Sequence, residues 1–317
     1  MDAVLRLTLP TPYPVGPVHA WWIDGPEPVL VDTGVPGPEN VDLLASLLAS
    51  HGRRLEDVRR ILLTHDHVDH AGSAGEVARR SGAPVHLHAL GRLGVQWTPE
   101  ETLAMAAFLL RCGMPGEVLS RVGSALSRVT RLAGAEPGTL VRLRGGEAIP
   151  SPLGPLEVIA TPGHGPDHVC YLAREAGLLF CGDTLLEGIT PNPILHLDAA
   201  AGFRRIPSLL AYLDSLAALA ALPVRRAHPG HGPDIADVPA LVARDLAFVR
   251  GRQVVFLDAV RRGACTPWAL ALAVFGDRDP MGLFLAVSES VACLDLLERD
   301  GDVEVRWDDD PIRVEPR

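Results

Sequence analysis

The sequence predicts an α/β protein made of two β-rich halves, with a small helical domain at the C-terminus. Three observations predict it. Short apolar, β-branched runs recur between Gly- and Pro-rich breaks as far as residue 232. Helical periodicity fills several of the intervals between them. From about residue 240 long helical patterns take over, until a final pair of short strands.

Taken in order, VLRLTL (4–9), VHAWWID (18–24) and PVLVDTG (28–34) are β-type runs close enough to pair as a meander. Residues 39–51 set Val41, Leu44, Leu47 and Leu48 on one face and predict a helix. ILLT (61–64) predicts a buried strand ending at a His-rich turn. GSAGEVARRSG (72–82) predicts a helix and PVHLHA (84–89) a strand. Residues 97–135 break the alternation. Pro99, Glu100 and Glu101 make a favourable helix start, and Leu103, Ala106, Ala107 and Leu110 follow at helical spacing. A second helix is expected from Pro115 to about Leu132. This segment reads as a helical insertion whose Trp97, Met105, Phe108, Leu109 and Met114 serve either core packing or an apolar lid. Strands resume with LVRL (140–143), LEVIATPGH (156–164), HVCYL (168–172) and LLFCGD (178–183). A helix is expected at about 203–221, and VRRAHPGHG (224–232) is a strand entering a turn.

Residues 1–239 are thus expected to form the larger domain and 240–317 the smaller. The latter holds helices at 240–262 and 281–299, with another opened by the Thr266-Pro267 pair, an N-cap followed by an N1 proline. GDVEVRW and PIRVEP, separated by DDD, complete a hairpin. Three helices and a hairpin are winged-helix-like.

Bulk composition narrows the function. Of 317 residues, 47% are hydrophobic and 21% charged, values of an ordinary globular protein. The net charge is −10, which argues against nucleic acid as the main partner and for a small-molecule substrate. All 29 basic residues are Arg, so no lysine can act as nucleophile, Schiff base or phosphate clamp. Five scattered Cys without a CxxC point to reduced thiols and a cytoplasmic location rather than to a disulfide framework. The N-terminus lacks a signal-peptide pattern, and Leu209–Val224, broken by Asp214 and Pro223, predicts a buried helix rather than a membrane span.

The chemistry concentrates in THDHVDHAG, which holds His65, His67, Asp69 and His70 within six residues. An extended strand end projects His65 and His67 together, and the turn that follows brings Asp69 and His70 to the same space. Four such groups are costly to bury without a cation, and imidazole with carboxylate is the usual donor set of divalent zinc. His164 in TPGHG, Asp183 in CGDT and His231 in HPGHG each stand at a predicted strand end beside glycine, where loops of one sheet edge converge.

The ordered motifs HxHxDH, TPGH, GD and PGHG, with VDTG (31–34) ahead of them, resemble those of the metallo-β-lactamase-fold hydrolases, in particular the glyoxalase II-like members. The resemblance spans about residues 1–235 and implies an αββα sandwich with its metals at the sandwich edge. It implies that His65, His67 and His164 hold one metal, that Asp69, His70 and His231 hold a second, that Asp183 bridges them and that Asp32 orients the HxHxDH loop. His67, where the family's redox branch has an acidic residue, favours zinc-type hydrolysis, although manganese and iron suit the same donors. Intact Asp69 and His70 imply two metals. The implied mechanism is hydrolysis by a metal-bridging hydroxide, with Asp69 and Asp183 as the catalytic residues.

The sequence departs from two branches of that family. Leu185 and Leu186 follow Thr184 where lactonases often place a tyrosine, a part that Tyr171 or Tyr212 would then have to take. No basic residue follows HPGHG before Arg244, which argues against glutathione. Of the remaining histidines, His86, His88, His168 and His228 are assigned structural roles and His196 is a candidate pocket residue. The favoured substrates are thioesters, esters or lactones. The alternatives are a phosphodiesterase or ribonuclease using the same centre, or a nucleic-acid-binding protein with structural metals. The acidic charge disfavours both, and the acidic terminal hairpin fits packing or homodimer formation better than DNA reading.

Overall fold

Residues 4–31 form the meander that their spacing predicts, as the computed structural model shows; it describes residues 3–93, 97–130 and 138–317. Val4–Leu9 (β1), Val18–Ile23 (β2) and Val29–Val31 (β3) pair antiparallel, Leu7 opposite Ala20 and Trp22 opposite Leu30. Arg60–Leu62 (β4), Val85–His88 (β5) and Leu140–Leu143 (β6) then join in parallel, giving six strands in sequence order. Parallel neighbours need crossovers. Helix Pro38–Ser50 (α1) supplies the first, and the short Val68–Ala71 (α2) with Ala74–Ser81 (α3) the second. Between β5 and β6 lie Pro99–Arg111 (α4) and Gly116–Thr130 (α5).

The second sheet begins with Ala148–Ile149 (β7), Leu156–Ala160 (β8), Val169–Ala173 (β9) and Leu178–Gly182 (β10), all antiparallel. A ribbon of Leu197–Asp198 (β11) and Arg204–Arg205 (β12), then Ser208–Ala220 (α6), intervene before Arg226–Pro229 (β13) pairs in parallel with β10. The sheet order is β13-β10-β9-β8-β7.

Alternation within β2 builds both layers of core. Trp21 and Ile23 join Val29, Val31 and Leu62 and meet Val158, Val169, Tyr171 and Phe180 of the second sheet. Ala20 and Trp22 face the other way, onto Val41, Leu44 and Leu48 of α1 and Val77 of α3. With both faces covered, every residue of β2 is buried. Each such apolar side chain contributes about 1.5–3 kcal/mol. The result is the αββα sandwich expected from the sequence.

Three boundaries differ from the expectation, each for a local reason. The strand at 156–164 stops at Ala160, because Pro162 has no N–H to give the ladder and Gly163 takes φ 146°. The helix expected from about 203 starts at Ser208. Pro207 disfavours helical backbone at Ile206, and Arg204–Arg205 pair as a strand instead. The helix expected over 72–82 is preceded by the separate turn α2, which carries Asp69 and His70. The expected end of α5 near Leu132 lies outside the described residues.

The chain forms two compact units that are not consecutive stretches. The first, containing the sandwich, is Met1–Val95, Leu132–Pro191 and Ser215–Val242. The second is Gln96–Arg131, Asn192–Asp214 and Ala243–Arg317. The sequence reading divides the chain at 239/240 and counts 97–135 with the larger domain; the compact units instead group the insertion helices with the C-terminal residues. The second unit includes most of Val238–Arg261 (α7), with Pro267–Phe275 (α8), Pro280–Arg299 (α9) and the hairpin Val303–Arg306 (β14) and Arg313–Pro316 (β15). Its helix starts follow the sequence. Thr98 and Glu101 form a reciprocal capping box, Thr266 accepts from Ala269 N–H, and Asp279 accepts from Met281 and Gly282 N–H. Met105, Leu109, Met114 and Val122 share one core with Phe256, Leu270, Phe284, Leu294 and Ile312, and Trp97 and Phe108 pack against it. Of the two roles open to the insertion's apolar residues, core packing is the one they fill. Helix α9 is long and apolar enough to cross a membrane, and 67% of its apolar window is buried inside the protein.

Candidate metal centre

All seven residues singled out in the sequence meet in the first unit. Three overlapping groups each place their donor atoms within 4.8 Å of one another: His65, His67 and His164; His65, His70 and Asp183; Asp69, His70 and His231. They arrive from four places. His65, His67, Asp69 and His70 follow β4 and run into α2, His164 follows β8, Asp183 follows β10 and His231 follows β13. Asp183 lies between the groups: Oδ1 is 3.3 Å from His70 Nε2, and Oδ2 is 3.6 Å from His164 Nε2 and 3.7 Å from His231 Nε2. Asp69 Oδ2 is 3.5 Å from His231 Nε2.

Glycine permits this crowding. A Cβ on Gly230 would stand 2.4 Å from His70 Cε1 and 2.6 Å from Asp183 Oδ1. Gly182 takes φ 46°, and a Cβ there would stand 2.6 Å from Thr64 Oγ1.

The hydrogen bonds fix which nitrogen each imidazole presents. Asp32 accepts from Thr64 N–H at 2.9 Å, from the Thr64 hydroxyl and from His70 Nδ1 at 2.9 Å. A carboxylate only accepts, so the Thr64 hydroxyl spends its proton on Asp32. Its oxygen then receives the Nδ1–H of His65 at 3.0 Å. The Pro17 carbonyl likewise takes the Nδ1–H of His231 at 2.8 Å. In their neutral forms His65, His70 and His231 are thereby left with Nε2 lone pairs turned inward. Those three nitrogens and Asp183 Oδ1 are buried and have no hydrogen-bond partner among the described residues. Buried polar atoms are rarely left so. A divalent cation is the partner that this donor set fits, and polarised imidazole backed by carboxylate or carbonyl is the usual support for it.

The electrostatics agree. Burial alone would strip His70 of a proton, but the Asp183 and Asp32 carboxylates on either side hold it well above the usual imidazole value. Burial would raise Asp183, yet His70, His231 and His164 hold it well below the carboxylate range. Burial, with His70 and His67 beside it, pushes His65 well below. A cation in this place would supply the positive charge that the two carboxylates otherwise draw from His70, leaving His70 neutral with its Nε2 lone pair free to bind.

Three supports lie outside the predicted donor set, and of these the sequence reading named only His168, as a structural residue. His168, fully buried, accepts Asp183 N–H on Nε2 at 3.1 Å, so its Nδ1–H goes to the Thr161 and Thr184 hydroxyls and it holds the backbone of Asp183. Asp167 accepts Asp66 N–H at 2.8 Å, and Asp66 accepts Arg92 N–H at 2.8 Å, clamping the HxHxDH loop to the segment after His164. Burial pushes Asp66 up to about 6. His19 holds the Gly232 carbonyl at 2.8 Å. Only GPDH beside TPGH and the histidine shortly before the paired tryptophans were visible in sequence, and neither carries a recognisable spacing. His86 and His228 lie elsewhere, on the Ile61 carbonyl and beside Asp234. His196 belongs to the second unit. Tyr171 donates to the Leu63 carbonyl at 2.6 Å and is spent on the fold.

The metallo-beta-lactamase superfamily model matches residues 13–231. The chain belongs to that superfamily. It is 27% identical over 98% of its length to the probable metallo-hydrolase YqjP of Bacillus subtilis, covering 97% of that protein. It is 26% identical to an atrochrysone carboxyl ACP thioesterase of Aspergillus fumigatus, over 80% of this chain and 66% of that one. Among solved structures, a metallo-beta-lactamase family protein of Thermus thermophilus, TTHA1429, superposes with TM-score 0.81 at 32% identity, covering 100% of this chain and 99% of that one. Within this superfamily member, Asp32 has a testable role. Asp32 takes φ 59°, which asparagine tolerates as well as aspartate. Asp32→Asn should therefore fold, but its amide N–H₂ would offer a donor where His70 Nδ1–H and Thr64 need an acceptor. Zinc affinity, measured by competition with a chromophoric chelator, is expected to fall roughly 10- to 100-fold. Wild-type affinity in that variant would remove Asp32 from the centre's support.

Proposed function

We propose that this chain is a dinuclear metal-dependent hydrolase of thioesters, esters or lactones. The observation that carries it is the set of four buried donor atoms on His65, His70, His231 and Asp183 that have no hydrogen-bond partner among the described residues. In this reading His65, His67 and His164 would hold one divalent ion, Asp69, His70 and His231 would hold the other, and Asp183 would serve both. When bound, such ions lower the pKa of water toward neutrality and polarise an acyl oxygen. The chain's own residues do the rest. Against the effect of burial, the His231 contact and the His70 charge keep Asp69 below the usual carboxylate value. It therefore stands ready to accept a hydrogen bond from the attacking water and orient it. Asp32 and Thr64 hold His65 and His70 in the tautomers that present Nε2. Zinc is the metal proposed, on the grounds that His67 is imidazole rather than carboxylate.

Acyl substrates are favoured over polyanions. The net charge of −10 repels polyanions at long range, and no lysine is present to offset phosphate charge. The Aspergillus relative's name, a thioesterase, points the same way. Five unpaired cysteines, four of them buried, fit a reducing compartment. The test is a hydrolysis panel of acyl thioesters, esters, lactones, a bis-phosphodiester and RNA, run with zinc-loaded full-length protein. The best acyl substrate is expected to exceed RNA and the phosphodiester in kcat/KM by a factor on the order of 10². The reverse ranking would replace this reading with a nuclease.

A further inference from the structure

The loop between β1 and β2, TPYPVGP (11–17), holds a residue outside every motif discussed so far. Three prolines stiffen it, and it is internally bonded: Tyr13 N–H donates to Thr11 Oγ1, the Thr11 hydroxyl to the Gly16 carbonyl, and Gly16 N–H to the Tyr13 carbonyl at 3.1 Å. Its end is fastened to the metal centre. Pro17 O receives His231 Nδ1–H, Val18 bridges His231, and His19 N–H donates to Gly230 O at 2.7 Å. One turn back along this loop, the Tyr13 hydroxyl oxygen is buried and has no hydrogen-bond partner among the described residues. Burial and the nearby Asp69 carboxylate push the phenol up to about 12, so it stays a donor at any working pH. A rigid loop fastened to His231 that hides a hydroxyl donor is poorly explained by packing, since phenylalanine would fill the same space without a stranded polar group.

We propose that Tyr13 is a catalytic residue whose O–H donates a hydrogen bond to the substrate's carbonyl oxygen on the His231 side of the centre. This rests on the hydrolase reading above. No proton leaves the phenol. The bond shortens as negative charge grows on that oxygen while water adds to the carbonyl carbon, so it favours the transition state over bound substrate.

The test is Tyr13→Phe in the zinc-loaded full-length protein. Its melting temperature should be unchanged or higher and its zinc content unchanged. For the best acyl substrate kcat should fall about 10- to 100-fold with little change in KM. A second readout does not depend on turnover. The protein has three tyrosines, and with 13Cζ-labelled tyrosine the signal missing from Tyr13→Phe should shift when hexanoate, a product-like carboxylate, is added. Wild-type kcat in the variant, or loss of zinc from it, would overturn the assignment while leaving the hydrolase reading intact. Inactivity of the wild type on every acyl substrate would overturn the parent reading, and the hexanoate shift alone would then decide whether Tyr13 meets a ligand.

Discussion

Asp183→Ala is expected to bind at most one zinc per chain and to lose nearly all hydrolysis, while remaining folded. The wild type should bind two. Both oxygens of Asp183 face imidazole nitrogens from the three groups, at 3.3–3.7 Å, so no other side chain can replace its charge between two cations. Breaking a buried charge set costs on the order of 3–5 kcal/mol, which corresponds to ~10²–10³ or more in affinity. The backbone there is held separately, by His168 at Asp183 N–H and by Gly230 N–H on the Gly182 carbonyl, so the strand end should survive the change. Elemental analysis after dialysis reads the metal, and kcat/KM reads the activity. His196→Ala, a histidine of the second unit, serves as the control and should keep two zinc ions. Two zinc ions in Asp183→Ala, or equal metal loss in both variants, would show that Asp183 is not the shared ligand.

Deleting residues 240–317 has the other large expected effect: the remaining chain should be insoluble or strongly aggregating, although every proposed ligand precedes the cut. Read from sequence alone, the tail supplies no metal ligand, and solubility or pairing is the role left to it. The shared core gives the solubility role its physical basis. The tail contributes Phe256, Leu270, Phe284, Val287, Leu294 and Leu297 to the core that also buries Met105, Leu109, Met114 and Val122 of the insertion and Leu195. At about 1.5–3 kcal/mol for each buried large apolar side chain, these six alone amount to about 9–18 kcal/mol, as large as a typical domain stability of roughly 5–15 kcal/mol. The insertion's apolar face would be left in water, an aggregation surface. Size-exclusion chromatography and circular dichroism of the truncation check this. A soluble, monomeric truncation that holds two zinc ions would show that the first unit needs nothing from the tail.

Much of the candidate centre was legible because side chains able to hold a metal follow short-range rules. Offsets of two residues along a strand end bring His65 and His67 to one side, and glycine beside His164, Asp183 and His231 marks a backbone that must pass close to something. The structure gives that something a name at Gly230, where a Cβ would strike His70 and Asp183. Strand and helix starts were legible for the same reason, since Thr98 with Glu101 or Thr266 with Pro267 satisfy N–H groups within one turn.

What sequence alone determined, then, was the donor set, the strands that deliver it and the helix caps, all written in residues a few positions apart. Tertiary structure decided how those donors are aimed. Asp32, which the family resemblance assigned to the HxHxDH loop, holds Nδ1 of His70 38 residues later, and His231 depends on Pro17 214 residues earlier. The Asp167 clamp spans 101 residues. The role of the insertion's apolar stripe was settled the same way, because an amphipathic helix shows that it must bury a face but not against which partner. Hydrogen bonds and core contacts between distant segments leave no periodicity along the chain, so only the folded protein shows which nitrogen each histidine turns inward and which tyrosine hydroxyl has no partner among the described residues.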